Sequence, residues 1–571
     1  MALPAGAVEA VRSRLETLDR DRFAARLFQH DATLWSSDPA HQRVAANRLG
    51  WLDSPALMRR EAPALAAFAA EVVSEGLTHA VLIGMGGSSL APEVLRLTFG
   101  VRPGASELTV LDNTSPAAVQ AVLAAHDPRR TLFVVSSKSG GTIEVAAFEA
   151  CCFAWVQAAR GAEAGRAFVA ITDPGTALQR LAGERGYRRV FSNPADIGGR
   201  YSALSYFGLV PAALIGADLD GLLARAVAEL DAARETPASR HEAFRLGAAL
   251  GELALAGRDK LTLGFGPGLD ALGVWVEQLV AESTGKDGRG LVPVADERLG
   301  SPASYGHDRV FVAVSGPRPD PAADSRLEAL RAAGHPVLRW TRTSPADLGA
   351  EFVRWEIATA TAAAVLAVDP FDEPNVTEAK QATQAVLQHQ LDHGALPVVH
   401  FGAALGPIRA AAPAAIAERL RTHAGEQSEP LAWVTGLLSL ANPGDYVAVL
   451  VYCRRTEARH QRLEGLRHAI RSRTRLATTL GYGPRFLHST GQLHKGGPAT
   501  GIFLQLTCDE GDLPIPGQRY GFGTLQRAQA AGDYAVLERR GRRMLRLDLG
   551  ADVESGLDQL IETVGSASRV P

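Results

Sequence analysis

With 571 residues, the chain is too long for one hydrophobic core, and three or four domains are expected. A hydrophobic fraction of 46% and a charged fraction of 21% are ordinary for a globular protein, and a net charge of −3 gives no reason to expect nucleic acid as a partner. The four cysteines have no metal-ligand spacing, so reduced core thiols are predicted rather than a disulfide framework.

Neither a targeting segment nor a membrane span is predicted. The first residues lack the basic and apolar regions of a secretory signal. The longest apolar stretch, residues 358–368, is too short to cross a bilayer. We therefore expect a cytoplasmic protein that does not bind membranes.

The predicted elements change from helices to alternating strands and helices after residue 77. Residues 1–77 have the apolar spacing of amphipathic helices. Apolar runs separated by helical segments then predict an α/β protein with two doubly wound parallel sheets, in domains 78–235 and 236–400. The predicted strands of these domains are 79–84, 108–111, 131–136, 167–172, 260–265, 309–314 and 336–340. A C-terminal α/β portion, 401–571, contains apolar runs at 445–452 and 501–506.

A glycine-rich turn, Gly84-Met-Gly-Gly-Ser-Ser89, follows the first predicted strand and precedes a helix. Glycines allow close backbone approach to a ligand, and a helix N-terminus favours an anion. The turn nearly matches a dinucleotide fingerprint, with Asp112 at the position of a ribose-binding acid, but Ser89 replaces the third glycine. The hydroxyls of Ser88 and Ser89 suit a sugar or a phosphate better, and a purely structural turn is the alternative.

A second candidate is Ser137-Lys-Ser-Gly-Gly-Thr142, which follows the third predicted strand and opens the next helix. Hydroxyls, backbone N–H groups and the helix dipole converge there, as in a phosphate cradle. Lys138 could add charge. The Walker spacing is absent, so an NTPase is not predicted, and a plain helix N-cap explains the pattern equally when it stands alone.

Arginine at position 200 lies in the turn Gly198-Gly-Arg-Tyr-Ser202, before another helix. Arginine stays charged in any site and binds two oxygens at once. A surface arginine has the same appearance in sequence, so this residue gains meaning only from its neighbours.

The segment Glu277 to Lys286 carries an acid in an apolar helix. Glu282 lies on the last turn before Gly285, and Gln278 lies one turn earlier on the same helix face. An isolated acid of this kind is usually a surface residue. Together with the phosphate cradle and Arg200, it predicts a base that moves a proton on a phosphorylated substrate.

Two later segments carry further acid–base candidates. Lys380 follows the loop 369–377, where spacing alone favours a solvated helix lysine. His488 and His494 lie in the glycine-rich loop 486–497, and a histidine there is a fair acid–base candidate. A zinc site is the alternative, but no cysteine or acid has suitable spacing nearby.

Taken together, these residues resemble the glucose-6-phosphate isomerase family. The most specific motifs are 198–202, 278–286 and Phe371-Asp-Glu-Pro with Lys380, and 86–88 and 137–142 support them. Segments 486–497 and 520–524 are most similar to the isomerase half of bacterial transaldolase–glucose-6-phosphate isomerase fusions. No extra stretch is long enough for a transaldolase barrel, so isomerase activity alone is expected.

The resemblance implies two sugar-isomerase (SIS-like) domains that interconvert glucose 6-phosphate and fructose 6-phosphate through a cis-enediol, in glycolysis and gluconeogenesis. It implies no cofactor, no metal, and a homodimer whose site can borrow a residue from the partner. Glu282 would be the base, Arg200 would stabilise the enediolate, and His488 and Lys380 would serve ring opening and positioning. The implied substrate and phosphate contacts are Gly87, Ser88, Ser137, Lys138, Ser139, Thr142 and Gln278.

The chain departs from the family pattern in two places. The family histidine usually precedes the lysine, whereas Lys380 precedes His488 here, so a different chain path is predicted and His494 remains a second candidate. Glu373 stands where the family usually has glutamine. A carboxylate repels a phosphate unless it is paired or turned away, so no substrate contact is assigned to Glu373.

Three alternatives remain open from sequence. A non-catalytic sugar-phosphate sensor would need residues 137–142 but not Glu282, Arg200 and His488 together. A nucleotide-dependent oxidoreductase would use the turn at 84–89. An isomerase that also accepts mannose 6-phosphate would differ only in how the pocket reads one epimeric hydroxyl.

Overall fold

The computed structural model describes residues 2–316, 318–424 and 429–566. It begins with four helices, α1 (Ala5–Arg20), α2 (Phe23–Phe28), α3 (Pro39–Ala46) and α4 (Ser54–Ser74). Asp38 accepts a hydrogen bond from the N–H of Ala40, and Pro39 fits the first turn, so α3 begins where capping chemistry favours a start. The predicted helical N-terminal segment is confirmed.

The first sheet has five parallel strands in the order β2-β1-β3-β4-β5. Its strands are β1 (His79–Ile83), β2 (Glu107–Leu111), β3 (Thr131–Ser136), β4 (Phe168–Thr172) and β5 (Arg189–Ser192). The helices that connect these strands are α5 (Leu90–Phe99), α6 (Pro116–Ala125), α7 (Ile143–Arg160) and α8 (Ala177–Glu184). The four strands predicted for this sheet are confirmed. They could be predicted because β1, β3 and β4 are buried on both faces, so their sequences are continuous apolar runs.

The second sheet follows helices α9 (Tyr206–Leu214), α10 (Leu219–Glu235) and α11 (Glu242–Leu255). Its four parallel strands have the order β7-β6-β8-β9. They are β6 (Lys260–Phe265), β7 (Val292–Val294), β8 (Arg309–Ser315) and β9 (Val337–Thr341), with α12 (Leu272–Thr284) before β7 and α13 (Pro321–Ala332) before β9. Sequence reasoning missed β7, because three residues show no periodicity. Two long helices complete this region, α14 (Leu348–Leu366) and α15 (Pro374–His393).

The C-terminal portion forms a six-stranded sheet in the order β10-β11-β15-β14-β12-β13. Strands β12 to β15 are parallel, and β10 and β11 add an antiparallel edge. The strands are β10 (Ala403–Leu405), β11 (Ile408–Ala411), β12 (Tyr446–Tyr452), β13 (Ala477–Tyr482), β14 (Gly501–Thr507) and β15 (Arg543–Asp548). The helices are α16 (Ala414–Ala424), α17 (Pro430–Ser439), α18 (Glu457–Thr474), α19 (Gly491–Gly496), α20 (Phe522–Arg539) and α21 (Val553–Ser566).

The C-terminal portion packs directly on the first sheet. Phe522 of α20 stacks on Phe148 of α7, with ring centroids 5.6 Å apart. Leu525 and Ala528 of α20 belong to the same buried cluster as Phe133 of β3. Because this contact buries apolar surface on both sides, it stabilises the association of the C-terminal portion with the first sheet.

Among the residues that the structure describes, we find no helix whose length and apolar character would allow it to cross a bilayer.

Candidate active site

The turns that follow β1 and β5 meet at the carboxyl edge of the first sheet. A Cβ on Gly87 would lie 1.9 Å from the carbonyl oxygen of Gly199, so only glycine permits this approach. A Cβ on Gly86 would lie 2.8 Å from the carbonyl oxygen of His488. The predicted contact residues Gly87 and Ser88, both buried, therefore lie between the Arg200 turn and the His488 segment.

The predicted phosphate cradle lies at the end of β3, where Thr142 precedes the first residue of α7. The hydroxyl oxygens of Ser137 and Thr142 are 3.1 Å apart, and Ser139 and Gly141 are exposed. Hydroxyls and backbone N–H groups at a helix N-terminus are suited to a phosphate dianion.

The ammonium of Lys138 is already engaged in the cradle. It pairs with Asp173 and donates to the carbonyl oxygen of Ala195 at 3.0 Å. The predicted extra charge is therefore shared with a carboxylate and is weaker than sequence reasoning assumed.

Glu282 lies on the last turn of α12, before Gly285, and is buried with 7% of its surface exposed. Its Oε2 accepts a hydrogen bond from Nε2 of Gln278 at 3.1 Å. The same Gln278 amide nitrogen donates to the carbonyl oxygen of His488 at 2.8 Å. Gln278 thus ties the carboxylate to the His488 segment, as expected for two polar residues on one helix face.

Arg200 is buried, and a set of oxygens fixes its guanidinium. Its Nε donates to the hydroxyl of Ser283 at 2.9 Å, and its NH2 donates to the carbonyl oxygens of Pro370 and Asp372. Its NH1 lies 3.2 Å from Oε2 of Glu373 and 3.6 Å from Oε1 of Glu282. One nitrogen of the guanidinium therefore lies close to the carboxylate of Glu282, while the other two hold the group in place.

Burial raises the pKa of Glu282 above its ordinary value. The positive charge of Arg200 opposes this shift and the negative charge of Glu373 adds to it. A raised pKa makes the carboxylate a stronger proton acceptor than a solvated glutamate, which suits a base that acts on a carbon acid.

His488 is held by a glutamate that sequence reasoning missed. Its Nε2 lies 3.0 Å from Oε1 of Glu144, which also accepts a hydrogen bond from Gln529 at 2.8 Å. Burial disfavours the charged form of Glu144, but His488, a backbone hydrogen bond and the charge of Lys380 together lower the pKa of Glu144. In sequence, Glu144 is simply an acid in the first turn of α7, a position usually explained by the helix dipole.

His494 has a different environment and lies in an aromatic cluster. Its ring packs near those of Tyr446, Phe486 and Phe503. Within the described part of the chain, neither ring nitrogen has a hydrogen-bond partner, and burial lowers the pKa of His494 far below its ordinary value. A neutral, enclosed imidazole of this kind is a core residue.

Lys380 lies on α15 and is exposed, in agreement with its spacing. It lines a small cavity of about 70 Å³ together with Thr142, Glu144 and His488. Its charge also contributes to the lowered pKa of Glu144. The structure therefore brings Lys380, His488 and the end of the phosphate cradle to one place, although the lysine comes first in the chain.

One group of described residues has ligand atoms close enough for a metal, namely His41, Asp369 and Asp372, within 4.8 Å of one another. Lys286 already pairs with the carboxylate of Asp372 at 2.6 Å. The backbone N–H of Phe371 donates to the carboxylate of Asp369. Ion pairing and hydrogen bonds account for these groups without a metal.

Sequence comparison adds independent evidence to this geometry. Residues 69–294 match the family model of phosphoglucose isomerase. The chain is 30% identical over 368 residues to a glucose-6-phosphate isomerase of Rubrobacter xylanophilus, which covers 56% of this chain and 84% of that protein. A glucose-6-phosphate isomerase of Thermus thermophilus is 36% identical over 225 residues, 37% of this chain and half of that protein.

Solved structures show the same fold. A hypothetical protein of Thermus thermophilus, TT0462, aligns with a TM-score of 0.57 and 26% identity over 67% of this chain and 99% of its own. A glucose-6-phosphate isomerase of Chlamydia trachomatis aligns with a TM-score of 0.51 and 20% identity over 65% of this chain and 78% of its own. Since a relative matched over 84% of its length is 30% identical, the chain belongs to the glucose-6-phosphate isomerase family.

Proposed function

We propose that this protein reversibly isomerises glucose 6-phosphate and fructose 6-phosphate through a cis-enediol, a step of glycolysis and gluconeogenesis. The observation that carries the proposal is the buried carboxylate of Glu282, 3.6 Å from the guanidinium of Arg200. Isomerisation needs a base on one face of a planar enediol and positive charge beside its developing oxyanion. These two groups supply both.

In the proposed mechanism, Glu282 takes the proton from C2 of the open-chain aldose and returns it to C1. Gln278 orients the carboxylate through its hydrogen bond to Oε2. The NH1 group of Arg200 stabilises the enediolate oxygen, and its other nitrogens cannot turn away because they are bound to carbonyl oxygens. This preorganisation lowers the barrier, since little reorientation is needed when the charge forms.

His488 and Lys380 open the sugar ring in this proposal, and Glu144 positions His488. A ring-opening acid must give a proton to the ring oxygen while a base takes one from the anomeric hydroxyl. The Glu144 carboxylate lies 3.0 Å from Nε2 of His488 and fixes the orientation of the imidazole. Ser137, Ser139 and Thr142 hold the phosphate at the N-terminus of α7.

A coupled assay of fructose 6-phosphate conversion, with EDTA present, tests the proposal directly. We expect turnover that EDTA does not reduce, because the proposed residues need no metal. Mannose 6-phosphate, run in parallel, decides whether the protein is a dual phosphoglucose and phosphomannose isomerase. Absence of turnover with either sugar would leave the sugar-phosphate sensor as the better explanation.

The nucleotide-dependent oxidoreductase is disfavoured by contacts at the turn 84–89. Gly86 and Gly87 pack closely against the carbonyl oxygens of His488 and Gly199, so the two glycines are used for contacts within the chain itself. Asp112 accepts a hydrogen bond from Ser89 at 3.2 Å and pairs with Arg485 at 3.2 Å. The carboxylate that would bind a ribose is therefore already in use.

Replacing Ser139 by alanine is expected to raise the KM for fructose 6-phosphate by about tenfold and to change kcat little. The hydroxyl binds the phosphate in ground state and transition state alike, and one hydrogen bond to a charged group is worth about this much. Steady-state kinetics give both constants. Ser192→Ala, an exposed serine at the end of β5 in the same sheet, is the matched control. A fall in kcat at unchanged KM would contradict a phosphate-binding role.

Replacing Glu373 by glutamine is expected to move the acidic limb of the kcat/KM profile to lower pH. The charge of Glu373 raises the pKa of Glu282, so its removal lowers that pKa and keeps the base ionised further into acid. A pH series on the variant and the parent measures the shift. A limb that stays in place or moves to higher pH would show that Glu373 does not act on the base.

We also propose a cytoplasmic homodimer, as the family resemblance implies. The four cysteines are free thiols, in keeping with a reducing compartment. In this arrangement the chain's own His488 and Lys380 serve its own site, so the partner need not lend either of them.

A further inference from the structure

A second and larger cleft lies on the other side of α12 and the His488 segment. Its volume is about 720 Å³, within the range of small-molecule sites. Residues at or just after the carboxyl ends of strands from all three sheets line it, namely Asp112 after β2, Asp296 after β7, Arg454 and Arg455 after β12, and Arg485 after β13. Ligands of open parallel sheets bind beyond such strand ends.

Some of the arginines that line the cleft form ion pairs with lining carboxylates, and others do not. Arg96 pairs with Glu93, Arg467 with Glu464, and Arg485 with Asp112. Arg454 and Arg455, by contrast, make no side-chain ion pair or hydrogen bond within residues 2–316, 318–424 and 429–566. Two adjacent guanidinium groups without a partner at a strand end are suited to a phosphate.

Carboxylates also line the cleft. Glu277 of α12, Asp270 and Asp296 all line the cleft and form no ion pair within the described part of the chain. Burial and the nearby charge of Asp296 raise the pKa of Glu277 to about 8. Carboxyl groups that repel one another in this way are stabilised by a ligand that donates hydrogen bonds to them, such as one with several hydroxyls.

We propose that this cleft is a second binding site for a phosphate monoester carried on a hydroxylated sugar. Arg454 and Arg455 bind the phosphate, and Glu277, Asp270 and Asp296 accept hydrogen bonds from the hydroxyls. A free sugar phosphate and a nucleoside monophosphate share this chemistry. The cleft contains none of the residues assigned to the isomerase site, so it is a separate site.

Two elements connect the cleft to the isomerase site. On α12, Glu277 lines the cleft while its neighbour Gln278 binds both Glu282 and the carbonyl oxygen of His488. In the short 3-10 turn Arg485–His488, Arg485 lines the cleft while His488 faces Glu144. A ligand that displaces either element also moves a group of the isomerase site, so occupancy regulates turnover. This regulatory part rests on the proposed isomerase function, whereas binding does not.

Calorimetric titration of the full chain tests binding, with ribose 5-phosphate, AMP and inorganic phosphate as probes. Ribose 5-phosphate or AMP is expected to bind saturably, and inorganic phosphate about tenfold more weakly because it lacks hydroxyls. The double variant Arg454→Gln/Arg455→Gln is expected to lose at least tenfold in affinity for the phosphate monoester. If ribose 5-phosphate binds more tightly than AMP, the ligand is a sugar phosphate. If AMP binds more tightly, the ligand is a nucleotide.

The matched control is Arg43→Gln/Arg60→Gln, which changes two exposed arginines that do not line the cleft, and it is expected to bind as the parent does. Without added ligand, both double variants are expected to turn over substrate at the parent rate. Parent-level turnover also demonstrates that the variants fold. Saturating ligand is expected to change the kcat/KM of the parent by about fivefold or more, which is the lower end of the usual coupling between two sites. The kcat/KM of Arg454→Gln/Arg455→Gln is expected to stay the same when the ligand is added.

The Glu277→Gln variant separately tests the proposed hydrogen bonds between the carboxylates and the sugar hydroxyls. It is expected to retain its affinity for inorganic phosphate and to lose most of the preference for the hydroxylated monoester. The proposal is wrong if no probe binds, or if the monoester binds Arg454→Gln/Arg455→Gln as tightly as it binds the parent. The second result would place the monoester in the isomerase site.

Discussion

The Glu282→Gln variant is expected to convert fructose 6-phosphate about 10²–10⁴-fold more slowly than the parent, the usual contribution of a positioned base. Glutamine keeps the shape of the side chain and can still bond to Gln278, but it cannot accept a proton from carbon. The KM is expected to change little, because the carboxylate acts on the substrate mainly in the transition state. The coupled assay at saturating substrate measures the loss.

Glu149→Gln is the matched control for this variant. Glu149 is also a buried glutamate, but it lies on α7 and bonds to Tyr187, away from the site. We expect the control to isomerise at the parent rate. Parent-level turnover in Glu282→Gln itself would remove Glu282 from the mechanism, and with it the observation on which the proposed function depends.

The Arg200→Lys variant is expected to lower kcat by about 10²–10³-fold, the cost of losing one donor to a developing oxyanion. Lysine keeps the positive charge but not the planar fork, which here bonds at once to Ser283, to the carbonyl oxygen of Pro370 and to Glu373. Since the oxyanion exists mainly in the transition state, we expect the KM to change only a few-fold. Steady-state kinetics with fructose 6-phosphate separate the two constants.

Loss of stability must be distinguished from loss of catalysis in this variant, because Arg200 also anchors the loop at 370–373. Arg542→Lys is a suitable comparison, since Arg542 is buried and donates to two carbonyl oxygens, those of Lys495 and Gly497. Both variants are expected to melt at a lower temperature, but only Arg200→Lys should lose turnover in the fraction that remains folded. A loss confined to KM would move Arg200 from the oxyanion to the phosphate.

Long apolar strands were accessible from the sequence, whereas polar strands such as β15, and very short ones, were not. Strands β1, β3 and β8 are apolar and central, so their burial on both faces is visible as continuous runs. Strands β7 and β10 have three residues each, too few for any period to appear. They become strands only because a neighbouring strand supplies their hydrogen bonds.

What the sequence determined by itself was local: the α/β class, the turn chemistry at 137–142, and an acid with an amide one helical turn before it at 278–282. Each depends on neighbours within a few residues, where spacing and capping preferences operate. The tertiary structure alone decided that His488 lies against Glu144 while His494 lies without a hydrogen-bond partner among the described residues, and that Lys138 pairs with Asp173. Those outcomes depend on which side chains from distant segments become buried together, because burial and facing charges set the protonation and partners of a group.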